Sequence, residues 1–402
     1  MTLAIGLCGC GGMGRRHIRG MQKLKAIGRL PFELAAVGDL YPEAARQAAD
    51  LAESLLGRRP EVYTGLAQMS GLDAVILTTS PETHADLGVA AIEMGLHVMV
   101  EKPITLTIGQ GRRLVDAARQ ERRKLAVAEN YRRDPINRLA RALLEAGAIG
   151  RPYLAIQSSS GGGERVIITP WRHLRAKGGI VVDMGIHYAD LLEYYLGPVE
   201  QVAGMNATVD RERIDAEGNR HPVDAEDLSA GVARYRSGAL AHYLLNRAGR
   251  GERYFLRLIH GSGGSLTIPR DRSGQPLKLV QRRNGADEIV PEAEHLALAP
   301  DFALDEVTAA LFGGARLSSY QMEYPDIDTS LLGVEQADFA SAILDDREPE
   351  VTGEMGLRSL AMVLGFLESG LLGRMVSVDE LLEGGAMPYQ AEIEAQLERK
   401  IN

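Results

Sequence analysis

Two groups of residues in this chain have the types and spacing for proton chemistry. Glu101, Lys102 and Pro103 close the apolar run Leu96 to Val100. An ammonium just past a buried strand must be hydrogen-bonded or bear a large desolvation penalty. Pairing with Glu101 would satisfy it. A cleft at the strand end would instead set Lys102 between the ribose of a bound nucleotide and a substrate hydroxyl, where a cation stabilises developing alkoxide charge, and this is the reading adopted. Further on, Asp183, His187 and Asp190 share one polar stripe of an otherwise apolar helix, at spacings of four and three. Solvent-facing stripes are ordinary. This one is narrow, follows Gly178-Gly179, and contains Gly185, which admits a close approach. His187 can take up a hydroxyl proton while Asp183 binds substrate or tunes the imidazole.

A nucleotide site accompanies them. The strand Leu3 to Cys8 runs into Gly9-Cys10-Gly11-Gly12-Met13-Gly14 and a helix, a turn that seats a pyrophosphate on the helix N-terminus. A lone glycine pattern is weak in a chain with 45 glycines, but the strand before it and the helix after it raise its specificity. Asp39, at the end of the second strand, can accept hydrogen bonds from ribose hydroxyls and would repel a 2′-phosphate, favouring NAD over NADP. Otherwise it is a turn or cap residue ahead of Pro42. Ser80, Pro81 and His84 follow the fourth strand on the ligand-binding edge of an open α/β sheet; as a plain helix start, Ser80 is the cap, Pro81 the first position and His84 a first-turn residue.

The elements that must position these groups fall into two textures. Short apolar runs at Leu3 to Cys8, Glu33 to Gly38, Val62 to Thr64, Ala74 to Thr78, Leu96 to Val100 and Leu125 to Ala128 alternate with helical patterns at Met13 to Ile27, Pro42 to Leu56, Glu82 to Met94 and Thr107 to Arg122. This alternation predicts a doubly wound, largely parallel sheet over residues 1–130. Residues 131–402 carry a helix at Pro135 to Ala146, the Gly-rich stretch Ser158 to Gly163 and the apolar helix Ile180 to Leu196. Strand-like runs follow at Val199 to Val209, Ala230 to Tyr235, Leu240 to Asn246, Tyr254 to Ile259, Ser265 to Ile268 and Leu277 to Gln281. They predict a large open, mainly antiparallel sheet. The segment Arg282 to Asp326 has no clean period and reads as an insertion or subunit-contact arm. Ser330 to Asp345 and Gly353 to Leu371 read as closing helices.

Composition excludes other classes. With 45 basic against 54 acidic residues the chain is net negative, which argues against nucleic acid, and the paired arginines read as solvated faces. Cys8 and Cys10, the two cysteines, supply neither a disulfide framework nor a zinc knuckle, so no metal is expected. No membrane-spanning run and no leader are read at the start MTLAIGL, and the expected location is the cytoplasm.

The stretches GCGGMGRRH, SPETHADLGVAAIEMGLHVMVEKP, NYRRDP and GGIVVDMGIHYAD together resemble the Gfo/Idh/MocA oxidoreductases along nearly the whole chain. EKP and DxGxHxxD in this order carry that resemblance far more specifically than the glycines. It implies a Rossmann domain followed by an α/β domain whose open sheet makes subunit contacts, in a homo-dimer or homo-tetramer. It also implies Lys102, Asp183 and His187 as the catalytic set, with Glu101, Asn130 and His84 near the cofactor, Tyr131, Arg132, Trp171 and Arg172 on the substrate side, and a cis Lys102-Pro103 bond. The chain departs from many relatives in having Lys177 before Gly178-Gly179 in place of a third glycine, and in a longer, more polar stretch from Gly161 to Lys177. The expected activity is NAD-dependent oxidation of a secondary alcohol of a sugar, cyclitol or glycoside. Its rivals are a glycosidase working through transient oxidation on tightly bound NAD, and a nucleotide-sensing scaffold.

Overall fold

The computed structural model describes residues 2–385 and 387–401. Its first sheet contains β1 (Leu3–Cys8), β2 (Phe32–Gly38), β3 (Glu61–Tyr63), β4 (Ala74–Leu77), β5 (His97–Glu101) and β6 (Leu125–Ala128), all parallel, in the order β3-β2-β1-β4-β5-β6. Helices α1 (Gly12–Ala26), α2 (Pro42–Leu56), α3 (His84–Glu93) and α4 (Ile108–Gln120) make the crossovers. The central strands are buried on both faces, as their continuous apolar runs require. Strand order reverses between β1 and β4, and a crevice opens there above the carboxyl ends.

After α5 (Pro135–Glu145) the chain enters β7 (Pro152–Ser160), α6 (Gly179–Leu196) and β8 (Val199–Ala207), then a small hairpin of β9 (Glu212–Ile214) and β10 (Arg220–Pro222). The strands β11 (Leu228–Tyr235), β12 (Leu240–Asn246), β13 (Tyr254–Gly261), β14 (Gly264–Ile268), β15 (Lys278–Arg283) and β16 (Ala286–Val290) follow. Then come α7 (Glu292–Leu298), α8 (Glu306–Phe312), α9 (Tyr324–Leu344), α10 (Gly353–Leu372), β17 (Val376–Ser377), α11 (Val378–Glu383) and α12 (Pro388–Ile401). The nine-stranded sheet runs β16-β15-β14-β13-β7-β12-β11-β8-β17, antiparallel except where β7 meets β12.

The sequence pattern had hidden β7. It lies at the centre of this sheet, but its last three residues, Ser158-Ser159-Ser160, belong in sequence to the Gly-rich stretch Ser158 to Gly163. Neighbouring strands on both sides bury those small polar residues, so tertiary pairing overrides their turn character. The segment 282–326 is no free arm: β16 extends the sheet, and Phe302, Leu304, Phe312 and Tyr320 are buried in the common core.

Helices α6 and α10 cover the inner face of the large sheet. Close approach is what Gly231 provides, since a Cβ there would lie 2.6 Å from the Phe366 ring. By length and composition α10 could cross a membrane, yet it is mostly buried as a core helix. Helix α9 returns to the first sheet and adds Ala337, Phe339 and Ala340 to its core.

Candidate active site

A cavity of about 980 Å³ runs along the crevice, from Asp39 past the glycine turn to Lys102 and on to α6. Gly9, Gly11, Gly12 and Met13 line it. Gly9 has φ +98°, and a side chain there would strike the backbone of Thr78 and Thr79. A Cβ on Gly14 would fall 2.1 Å from the Gly9 carbonyl oxygen, so this glycine closes helix on strand and does not itself line the cavity. Gly11 and Gly12 face open space where a pyrophosphate can reach backbone N–H groups.

Asp39 lines the same wall, its Oδ2 accepting from the Cys10 N–H (2.7 Å) and its Oδ1 from the Tyr41 N–H (2.9 Å). The turn role and the cavity role therefore coexist. Ser80, Pro81, Glu101 and Asn130 also line the cavity, and the buried Oδ1 of Asn130 has no protein partner. An open glycine cradle beside an orphaned amide oxygen fits a dinucleotide.

His84 sits one layer beneath this wall. It is fully buried, with its ring nitrogens facing the carbonyl oxygens of Pro103 (2.9 Å) and Thr79 (3.1 Å), and burial pulls its pKa below the ordinary imidazole value. It braces the cis Lys102-Pro103 turn and does not touch the cavity, which corrects its expected place beside a cofactor.

Lys102 and α6 meet across the cavity. The Lys102 ammonium donates to the Asp183 carbonyl (2.8 Å) and to Asp183 Oδ1 (3.0 Å), while Arg172 Nε donates to Asp183 Oδ2 (3.1 Å). Burial opposes a charge on Asp183, but the two cations outweigh it and hold its carboxyl below the usual range. Arg172 also donates to Thr169 Oγ1 (2.7 Å) and lies over the Trp171 ring (4.3 Å), so both expected substrate-side residues reach the cavity from the strap before α6.

His187 lines the cavity too, but the group that orients it is not Asp183. Its Nδ1 faces both oxygens of Glu129, each at 2.8 Å, and among the described residues no protein group bonds Nε2. Burial would raise the Glu129 carboxyl; the adjacent imidazole and the Tyr131 N–H (3.0 Å) outweigh it and lower it. Glu129 went unrecognised in the sequence, although it stands just past the apolar strand Leu125 to Ala128, the same signal that singled out Lys102.

One further expectation fails. Arg132 does not reach the cavity: its Nε and Nη2 donate to Asp190 (2.8 and 2.5 Å) in a buried pair that takes Asp190 out of the polar stripe. The close approach that Gly185 admits is made by the Tyr243 hydroxyl, which occupies the space a Cβ would need. Arg272, Tyr324, Met184 and Ile168 also line the cavity and carried no legible signal. Among the described residues, His17, Glu101 and Glu335 gather ligand-type atoms within 4.8 Å, where burial and the neighbouring Glu101 push the Glu335 carboxyl well above its usual range.

Fold and site together define a dinucleotide-dependent oxidoreductase. Residues 3–129 match the NAD-binding Rossmann-fold domain of the Gfo/Idh/MocA oxidoreductase family, and residues 137–267 its C-terminal domain; the chain belongs to that family. It is 27% identical over 356 residues to 1,5-anhydro-D-fructose reductase of Ensifer adhaerens, covering 85% of this chain and 91% of that one. It is 27% identical over 295 residues to levoglucosan dehydrogenase of Pseudarthrobacter phenanthrenivorans, covering 67% and 74%. The structure of a levoglucosan dehydrogenase in complex with NADH and levoglucosan superposes with a TM-score of 0.77 at 23% identity, over 94% of this chain and 100% of that one.

Proposed function

We propose that the protein oxidises a secondary hydroxyl of a sugar, cyclitol or glycoside, with residues 1–130 holding NAD and residues 131–402 holding the alcohol. One observation carries the reading: Lys102, just past β5, and His187 from α6 line one cavity, with Asp183 tying the ammonium to the helix that bears the imidazole. When bound, NAD supplies the hydride acceptor at its nicotinamide ring. The cavity-lining residues that would hold it are Gly9, Gly11, Gly12, Met13, Asp39, Ser80, Pro81, Glu101 and Asn130. The unbonded Nε2 of His187 takes the hydroxyl proton, Glu129 bears the resulting imidazolium, and Lys102 stabilises the oxygen as negative charge develops on it. Asp183 fixes Lys102 and Arg172, Trp171 offers a flat face to a ring, and Tyr131 lines the same cavity with its ring against His187. The names of the curated relatives, a sugar reductase and a sugar dehydrogenase, support this substrate class.

The test is a panel of polyols and glycosides, levoglucosan and myo-inositol among them, offered with NAD and NADP while NADH formation and product are followed. NADH formed together with an oxidised sugar supports the reading. Sugar cleaved with no net NADH establishes the glycosidase, and binding of NAD without turnover of any member overturns both.

The reading includes a cytoplasmic homo-dimer or homo-tetramer. Its support is the outer face of the large sheet, where Met205, Val232 and Leu240 stand exposed beside half-buried Leu244, Leu256 and Leu258. Light scattering of the intact chain should give two or four copies, and Val232→Glu should lower that number; a monomer at micromolar concentration rules the assembly out.

A further inference from the structure

His187 is held on two sides. At its edge the Glu129 carboxylate accepts a hydrogen bond from Nδ1–H, which fixes the tautomer but leaves the imidazole free to rock about that hydrogen bond. On its face lies the Tyr131 ring, stacked with centroids 3.9 Å apart and planes within 3°. A parallel ring at contact distance removes the rocking.

Tyr131 is itself fixed at both ends. Its backbone N–H donates to Glu129 Oε1 (3.0 Å), so the same carboxylate seats both stacked partners. At the far end its hydroxyl accepts from Arg272 Nη2 (2.8 Å), and the guanidinium lies over the phenol ring at 4.7 Å and over Tyr324 at 5.0 Å. Arg272 is placed with unusual care. Its backbone is left-handed at φ +59°, its N–H donates to Asp134 (2.9 Å), and its Nη1 donates to Asp328 Oδ1 (2.7 Å). The other oxygen of Asp328 accepts from Arg16 Nε (2.8 Å) on α1, the helix after the glycine turn. Non-glycine residues hold such backbones where the surroundings over-determine them, and these sites cluster around function.

Resting on the assignment of His187 as the proton acceptor, the geometry points to Tyr131 and Arg272 as positioning residues for that base. Arg272 pins the phenol, the phenol pins the plane of the imidazole, and Glu129 pins its edge, so Nε2 is held on the reacting hydroxyl. The chain of contacts reaches Arg16, which links the cofactor helix to the base through Asp328. Misplacing a catalytic group by about 1 Å can cost about a hundredfold in rate, so a clamp of this kind bears on turnover more than on affinity. The charged groups around the imidazole are Glu129 at its edge, Asp183 and Lys102 on the cavity side, Arg272 behind the stack, and the Arg132–Asp190 pair at the next turn of α6.

Two measurements test it. In NMR spectra of the full chain labelled with ¹³C-histidine, the His187 ring signals, identified by their loss in His187→Asn, should be shifted upfield by the stacked phenol. They should stay so in Tyr131→Phe and move downfield in Tyr131→Leu. In turnover of levoglucosan or myo-inositol, Tyr131→Leu should lower kcat at least tenfold with the Kd for NAD within about twofold, while Tyr131→Phe keeps the stack and loses only a few-fold. Arg272→Gln removes a cation from behind the stack and should move the acid limb of the kcat profile to higher pH, with Arg272→Lys restoring most of it. A role confined to folding predicts less folded protein with unchanged kcat and pH profile, and that result overturns the clamp. If His187→Asn itself retains turnover, the base assignment fails instead.

Discussion

The two walls of the cavity are built from different material. The cofactor wall is backbone: glycines that bring main-chain N–H groups to the surface, and strand ends set by a parallel register. The opposite wall consists of side chains whose partners come from elsewhere in the chain, such as Lys102 on Asp183, Glu129 on His187 and Arg272 on Tyr131. A backbone site needs space and a strand-turn-helix unit. A site of paired charges needs several distant elements packed in place at once, and each partner left alone would be a buried charge without compensation.

Lys102→Ala separates the two walls most sharply. Turnover should fall by about a thousandfold while NAD affinity, followed by fluorescence titration, changes less than about threefold. Loss of NAD binding with chemistry preserved would erase the distinction. Arg132→Ala should act on folding, since stranding the buried Asp190 carboxylate costs about 3–5 kcal/mol. Denaturant melts should show that loss, with KM unchanged in the folded fraction; a raised KM alone would return Arg132 to the substrate wall.

Glu129→Gln should lower kcat about ten- to a hundredfold with the fold intact, by analogy with the partners that orient metal-bound histidines. Equal kcat in the variant would leave His187 oriented by some other group. On the cofactor wall, a Cβ on Gly11 meets no protein atom, so Gly11→Ala should raise the NAD Kd about tenfold with little change in Tm, whereas Gly14→Ala should depress Tm. If both behave alike, the glycines are not doing separate jobs.

The smallest effect concerns the strap that carries Trp171 and Arg172. His173 accepts from the Ile167 N–H (3.0 Å) through Nε2, and burial with the nearby Arg213 lowers its pKa to about 4. Because the folded value lies below the unfolded one, its contribution to stability is complete above about pH 6.5 and is lost as pH falls toward 4. Tm should therefore drop by a few degrees over that window, and His173→Asn should flatten the drop; an unchanged slope would rule His173 out as its origin.

Much of this was legible before folding. The first sheet, its four helices, the glycine turn and Asp39 beside it follow from local signals, because alternating strands and helices, a glycine turn and a carboxylate after the second strand are all written in short windows. Lys102, Asp183 and His187 were legible because charge on apolar elements is conspicuous. The same logic extended to Glu129 would have recovered the true partner of His187. By contrast, Arg132 and Trp171 look alike as sequence, one polar and one aromatic residue near a motif, and nothing local distinguishes an arginine that meets Asp190 from one that meets a ligand.

By itself, then, the sequence determined the parallel sheet, the glycine cradle and which ionisable groups stand on apolar elements, since propensity, periodicity and turn chemistry act over a few residues. Packing alone decided that Asp183 serves Lys102 and not His187, that Ser158-Ser159-Ser160 form a central strand, and that Arg272 reaches Tyr131 across the chain. Those outcomes depend on which distant groups share a low-dielectric interior, where an unpaired charge or backbone amide is costly and the partner that arrives settles the role.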